Sequence, residues 1–282
     1  MKDVPFIDEF LGRALAEDIG DGDHTSLATI PKDATGAARL LVKDEGIIAG
    51  IDIARRVFYL VDAHLEFHQL LFDGQPVSKG DVAFTVSGSA RSITTAERLA
   101  LNIMQRMSGI ASYTHRVQQL MTGTNCKVLD TRKTTPGFRY FEKLAVRIGG
   151  GENHRFGLYD MILVKDNHVD YAGGMDQALR KVSEYVNAMA QPVKVEVEAR
   201  NLEDVRTILQ HGIAIRILLD NFSPALVAEA VELIARRCET EASGGINENN
   251  VRDYALTGVD FISMGALTHS AGSLDLSLKA IR

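Results

Sequence analysis

The sequence has only two cysteines, Cys126 and Cys238, among its 282 residues. That is too few for a disulfide framework, and the two lack the close pairing of a zinc motif. Each is expected to be a buried structural thiol. No apolar run approaches the roughly 20 residues that cross a bilayer, so no membrane role is expected. The first 20 residues carry acids where a signal peptide would be apolar, which favours a cytoplasmic location. Positive charge is not in excess either, since 31 Lys and Arg against 37 Asp and Glu leave a formal net charge of −6. Nucleic-acid binders use a basic face to displace counterions, so no nucleic-acid partner is expected. Any cluster of Arg and Lys in such a chain has a local, ligand-specific cause.

What is present has globular proportions. With 45% hydrophobic and 24% charged residues, the chain can form one large domain or two modest ones. The first hundred or so residues read as mixed α and β. An acidic amphipathic segment spans Phe6 to Asp18, and strand-like pieces lie at Ala37 to Val42, Leu65 to Leu71 and Val82 to Val86. From Ser92 to Met121 the period turns helical, with Leu99, Ile103, Met107 and Ile110 spaced as one core-facing stripe.

Beyond that helix, short apolar runs alternate with helical stretches. The runs are Lys127 to Leu129, Met161 to Val164, Val193 to Val197, Ile215 to Leu219, a weak one at Cys238 to Ala242, and Val259 to Ser263. The helical stretches are Met175 to Met189, Leu202 to Leu209, Ala225 to Arg236 and Asn249 to Leu256. Repeated β-then-α units imply parallel strands with right-handed crossovers, in an open doubly wound sheet or a barrel. Each run is followed at once by polar residues or glycine: Asp130-Thr131-Arg132-Lys133, Lys165-Asp166-Asn167-His168, Glu198, Asp220-Asn221, Ser243-Gly244-Gly245 and Met264-Gly265. These positions share the carboxyl-end face of the strands, where such folds bind ligands, and a closed barrel is favoured because it lets them converge.

The glycine-bearing ends, around Ser243-Gly244-Gly245 and Gly265-Ala266-Leu267, suit a phosphate. Exposed backbone N–H groups with a following helix N-terminus make such a site. Between the first two strands lies a dense cationic stretch. Lys143 and Arg147 fall at helical spacing and read as a solvated face. Arg132, Lys133, His154, Arg155 and Lys165 flank turns or strand ends, where they would repel one another unless an anion lay between them. Arginine suits planar carboxylates in particular. Glu198 and Asp220 fit Mg2+, held partly through water and bridged to substrate oxygens, with general-base work as the competing reading.

Taken together, Asp130-Thr131-Arg132-Lys133-Thr134-Thr135-Pro136-Gly137, Gly149-Gly150-Gly151-Glu152-Asn153-His154-Arg155, Lys165-Asp166-Asn167-His168, Leu219-Asp220-Asn221-Phe222 and Ala242-Ser243-Gly244-Gly245-Ile246 resemble the quinolinate phosphoribosyltransferase family, also called nicotinate-nucleotide pyrophosphorylase (carboxylating). The likeness starts at Glu17 to Asp23 and covers nearly the whole chain. It implies an α/β protein with an N-terminal open-faced α/β sandwich domain (residues 1–115) and a C-terminal six-stranded partial (β/α) barrel (residues 116–268). Residues 269–282 would pack back on the first domain.

The resemblance further implies that quinolinate and phosphoribosyl pyrophosphate become nicotinate mononucleotide, pyrophosphate and CO2 in NAD biosynthesis. It assigns Arg132, His154 and Arg155 to the quinolinate carboxylates. Lys133 and Lys165 fall between the two substrates, with Thr131 beside them. Glu198 and Asp220 lie near the ribose hydroxyls and Mg2+, and Ser243, Gly244, Gly245, Gly265, Ala266 and Leu267 form the phosphate loops. Lys133, Lys165, Glu198 and Asp220 are the candidate catalytic residues. A homodimer with shared active sites, open to further assembly, is implied, with Arg98 reaching the partner's quinolinate.

Two other readings fit part of the pattern. One is a barrel lyase with Lys165 or Lys133 as Schiff-base nucleophile. The other is an anion-binding protein or a transferase-like paralogue that takes another heterocycle, which fold alone does not separate.

Overall fold

The computed structural model describes residues 4–281, so the expected outer domain limits at 1 and 282 fall outside the described residues. In chain order the first elements are α1 (Val4–Ile19), α2 (His24–Thr29), β1 (Thr35–Val42), β2 (Gly46–Ile47), α3 (Ile51–Val61), β3 (Glu66–Gln69), β4 (Pro76–Val77), β5 (Val82–Ser89) and α4 (Ala90–Leu120). Then come β6 (Lys127–Leu129), α5 (Arg139–Ile148), β7 (Met161–Val164), α6 (Asp166–Ala172), α7 (Met175–Asn187), β8 (Lys194–Ala199), α8 (Leu202–His211) and β9 (Arg216–Asp220). The last are α9 (Pro224–Ile234), β10 (Glu239–Ser243), α10 (Val251–Ala255), β11 (Phe261–Ser263), α11 (Ala266–His269) and β12 (Leu276–Ile281).

The chain divides into two compact units. The first takes residues up to Tyr113, Tyr140–Gly149 and the residues from Ala271 onward; the second takes Thr114–Arg139 and Gly150–Ser270. In the first unit a four-stranded sheet runs β12-β1-β5-β3, with all three pairings antiparallel. Alternation in β1 buries Ala38, Leu40 and Val42, as a half-buried strand requires. Helix α3 buries Ile51, Ile53, Ala54, Val57 and Phe58, and the Phe58 ring meets Phe84 of β5 edge-on at 5.9 Å. In α4 the stripe begins later than the sequence spacing predicts: Ile103, Met107 and Ile110 are buried, but Leu99 is only partly covered and Ala100 takes the inner position.

One sequence expectation is corrected in α5. Its helical period was read as a solvated face, and Arg147 is indeed exposed, but Lys143 and Glu142 are both buried. Arg106 of α4 donates to Glu142 Oε1 from Nε at 3.1 Å and from its terminal nitrogen at 2.8 Å. A buried carboxylate thus draws in its own counter-ion, which helical spacing alone does not signal.

In the second unit six parallel strands run β6-β11-β10-β9-β8-β7. Two of its helices start at residues that satisfy free N–H groups: Asn201 accepts from Asp204 N at 2.9 Å, and Ser223 accepts from Leu226 N ahead of Pro224. The end strands β6 and β7 are not paired in the sheet order, and beside β6 lies an isolated parallel bridge between Leu129 and Glu152. Residues of or just beyond both end strands nevertheless line one cavity, so the sheet curls toward a barrel without closing. Of the two cysteines, Cys126 is buried as expected, whereas Cys238 is only half-buried.

Candidate active site

The period of two along parallel strands decides which side chains meet inside the curled sheet. Register aligns Glu196 with Arg216 and Leu163, Glu198 with Leu218, Leu218 with Glu241, and Asp220 with Ser243. Glu196 and Glu198 therefore share the inner face of β8, Arg216, Leu218 and Asp220 that of β9, and Glu239, Glu241 and Ser243 that of β10. A barrel interior is usually filled by branched apolar side chains; here it carries a column of charge.

At the carboxyl end a cavity of about 160 Å³ is lined by Thr131, Arg132, Lys133, His154, Arg155, Leu163, Lys165, Leu218, Glu241, Ser243 and Ser263. The five cations singled out in the sequence all border it. Buried Asp130, at the end of β6, anchors one wall: Oδ1 accepts from His154 N at 3.0 Å and Oδ2 from Asn153 Nδ2 at 2.5 Å. Arg155 reaches back to Met161 O at 3.0 Å, and burial together with nearby Arg132 pushes its guanidinium pKa down. A group that loses proton affinity beside another cation gains from an anion placed between them.

On the opposite wall, Lys165 Nζ lies 3.8 Å from Glu198 Oε2. Burial raises the Glu198 pKa; Lys165 opposes the shift and Asp220 adds to it. Asp220 Oδ2 accepts from Asn221 Nδ2 at 2.6 Å. Glu198 and Asp220 do not by themselves make a three-ligand cage among the described residues. Two carboxylates at neighbouring strand ends offer oxygen donors of the kind a hard divalent cation takes.

The helix that follows Ser243-Gly244-Gly245 begins at Val251, within two residues of the expected Asn249, and α11 after Gly265 has four residues. Gly244 has φ +97°, and a Cβ at that position would clash with Asn221 Oδ1 and lie 2.8 Å from Asn221 N. Only glycine fits there. Gly265 leaves room for the Lys133 stem, since a Cβ there would lie 2.9 Å from Lys133 Cδ. Thr268 Oγ1 donates to Lys133 O at 2.8 Å and fixes the backbone of that lysine. Ala266 is partly covered and Leu267 is buried. Arg98 belongs to the first unit and is exposed on α4.

Sequence reasoning missed Glu196, Glu241 and Arg216. All three carry charge inside strands two or four residues before a strand-end polar group, and that spacing was the available signal.

Parallel strands curled around a cationic pocket, with two acids and glycine loops at their carboxyl ends, define the class of (β/α)-barrel enzymes that handle multiply anionic, phosphorylated substrates. The family description "Quinolinate phosphoribosyl transferase, C-terminal domain" matches residues 110–279, and its N-terminal counterpart matches residues 23–108. The chain belongs to the quinolinate phosphoribosyltransferase family. It is 44% identical to quinolinate phosphoribosyltransferase [decarboxylating] 2, mitochondrial, of Nicotiana glauca, over 96% of this chain and 81% of that one. Identity is 45% to the chloroplastic nicotinate-nucleotide pyrophosphorylase [carboxylating] of Arabidopsis thaliana, over 94% of this chain and 80% of that one. Among solved structures, NadC from Streptococcus pyogenes is 39% identical with a TM-score of 0.93, covering 99% of this chain and 98% of that one.

Proposed function

We propose that this protein is a quinolinate phosphoribosyltransferase, which joins quinolinate to phosphoribosyl pyrophosphate and releases nicotinate mononucleotide, pyrophosphate and CO2 in NAD biosynthesis. The observation that carries this reading is the convergence of Arg132, Lys133, His154, Arg155 and Lys165 on one small cavity. A pyridine dicarboxylate supplies the charge such a wall calls for, and guanidinium groups grip planar carboxylates with parallel hydrogen bonds.

In this reading Arg132 and Arg155 grip the carboxylates, with His154 on the wall beside them, and this side of the pocket sets the ring nitrogen against the anomeric carbon. Lys133 and Lys165 offset the negative charge of the departing pyrophosphate, so the acceleration comes from positioning and electrostatics. Glu198 and Asp220 hold the ribose hydroxyls and would ligate Mg2+, which neutralises charge on the pyrophosphate oxygens. The C–N bond forms as the C–O bond to pyrophosphate breaks. The ring nitrogen is then cationic and can accept the electron pair left at the adjacent carbon when CO2 departs. A proton from solvent completes nicotinate mononucleotide.

The working form is a homodimer in which Arg98 of one subunit serves the quinolinate site of the other. Its exposure on α4 leaves it available for that contact. A Schiff-base lyase is the weaker reading, because such lysines are activated by desolvation, whereas Lys133 and Lys165 are both exposed. The test is pyrophosphate release with phosphoribosyl pyrophosphate and Mg2+, comparing quinolinate with nicotinate. Release with quinolinate alone, with one CO2 per pyrophosphate, is expected. Release with nicotinate and no CO2 would move the protein to a paralogue with another heterocycle.

A further inference from the structure

At the floor of the anion pocket His154 meets two acids, Glu196 and Glu241, to which the reaction as proposed assigns no role. His154, Glu196 and Glu241 are all buried, and their ligand atoms lie within 4.8 Å of one another. His154 Nε2 is 3.1 Å from Glu196 Oε2 and 3.7 Å from Glu241 Oε2. Neither oxygen of Glu196 nor Oε1 of Glu241 has a hydrogen-bond partner among the described residues. Arg216, from the layer beneath, reaches Glu241 Oε2 at 3.1 Å and Glu239 Oε2 at 2.8 Å, and its guanidinium stacks 4.1 Å over the Phe261 ring. One guanidinium thus faces three carboxylates, two of them fully buried.

A metal ion could in principle sit among one imidazole and two carboxylates. The guanidinium already on Glu241 supplies the cation such a site would need, which favours a different role. The ring of His154 shows it. Nδ1 accepts from the backbone N–H of Arg155 at 2.7 Å, so the ring proton belongs on Nε2, the nitrogen that faces the acids. Both ring nitrogens are engaged, one on the wall of the pocket and one on its floor.

We propose that Glu196 and Glu241 act as one buried acid pair that fixes the tautomer and tilt of His154 and, through it, sets the Arg155 side of the pocket before substrate arrives. Both are positioning residues, and their effect on affinity rests on the dicarboxylate reading above. A carboxylate 3.1 Å from Nε2 favours the ring proton on that nitrogen, which leaves Nδ1 bare to hold the Arg155 amide. Other charged or polar groups facing the cluster are Asp130, Arg155, Glu198, Glu239 and Ser263.

The test uses the full-length protein labelled with 15N-histidine, with the His154 signal assigned by its loss in His154→Gln. In the wild type one tautomer, protonated on Nε2, is expected. Wild-type His154 protonated on Nδ1, or exchanging between tautomers, overturns the proposal whether or not any variant folds. Glu196→Leu removes the acceptor and should abolish the single tautomer and raise KM for quinolinate at least tenfold. KM for phosphoribosyl pyrophosphate and kcat should stay within about threefold. Glu196→Gln keeps an acceptor oxygen and should restore most of the affinity. A Glu196→Leu protein with unchanged quinolinate KM, or with both KM values raised alike, overturns it. The histidine signal needs no turnover, so failure of the quinolinate assay in the wild type would refute the proposed function and leave the tautomer result standing.

Discussion

Replacing Arg216 with Met would test whether the charged interior of the second unit is held by a single counter-ion. The arginine side chain is 12% exposed, and its two partners differ: Glu241 is fully buried, while Glu239 is 47% exposed. The exposed pair is solvent-screened and contributes little, about 0–1 kcal/mol. The buried pair is another matter, because removing one partner strands a charge in the interior at a cost of roughly 3–5 kcal/mol. Loss of the contact with the Phe261 ring adds about 0.5–2 kcal/mol. Glu241 can escape part of this cost by taking up a proton, since its pKa already lies near 7. The loss should therefore be greatest well above pH 7, shrink by up to about 1.4 kcal/mol per pH unit as pH falls toward 7, and level off below 7, where Glu241 is protonated with or without the arginine. Hydrogen exchange of the β8, β9 and β10 amides, read at pH 6 and pH 8, reports the unit that holds the network. Combining Arg216→Met with Glu241→Gln should recover all but about 1 kcal/mol, because the stranded charge is then gone. A single-variant loss below about 1 kcal/mol, or no recovery in the double variant, would refute the counter-ion argument.

Three further outcomes are expected. Glu196 and Glu241 are raised from 4.5 to about 7, so the folded state binds protons more tightly than the unfolded one. The stability they contribute is full below about pH 4.5 and is lost as pH rises through about 7, at up to about 1.4 kcal/mol per pH unit for each retained proton. Urea titrations across that range should show the slope in the wild type and a flatter one in a Glu196→Gln, Glu241→Gln double variant; parallel curves would contradict it. Gly244→Ala forces a side chain into a left-handed backbone against Asn221, and should cost about 1–3 kcal/mol and raise KM for phosphoribosyl pyrophosphate more than for quinolinate, as steady-state kinetics would show. Arg98→Ala and Lys133→Ala chains should each be nearly inactive alone, yet heterodimers of verified composition should regain a measurable fraction of wild-type turnover, and none at all would count against shared sites.

Much of the second unit was legible in the sequence because parallel strands buried on both faces write themselves as short apolar runs. Lys127–Leu129 and Met161–Val164 coincide with β6 and β7, and the remaining strands shift by one or two residues. The strand-end polar groups were equally plain, and the pocket gathers Thr131 to Lys133, Lys165 and Ser243 as that pattern implied. The floor of the pocket was hidden. Glu196 and Glu241 stand inside strands, where composition reads them as breaks in an apolar run, and only the cross-strand register puts them together beside His154. In the first unit α3 and β12 escaped notice. The apolar face of α3 meets rings from other segments, and β12 gains its meaning only from a partner strand far away in sequence.

That last pairing bears on how the chain assembles during synthesis. Strand β1 lies between β5 and β12, and the register joins Ala37 to Ile281 and Val42 to Leu276. Until those late residues emerge from the ribosome, one edge of β1 shows a row of unpaired N–H and C=O groups, the kind of edge that recruits strands from other chains. The second unit draws only on residues between Thr114 and Ser270 and can form while the first still waits. The first unit is thus begun early and sealed only once the residues from Ala271 onward are available to it.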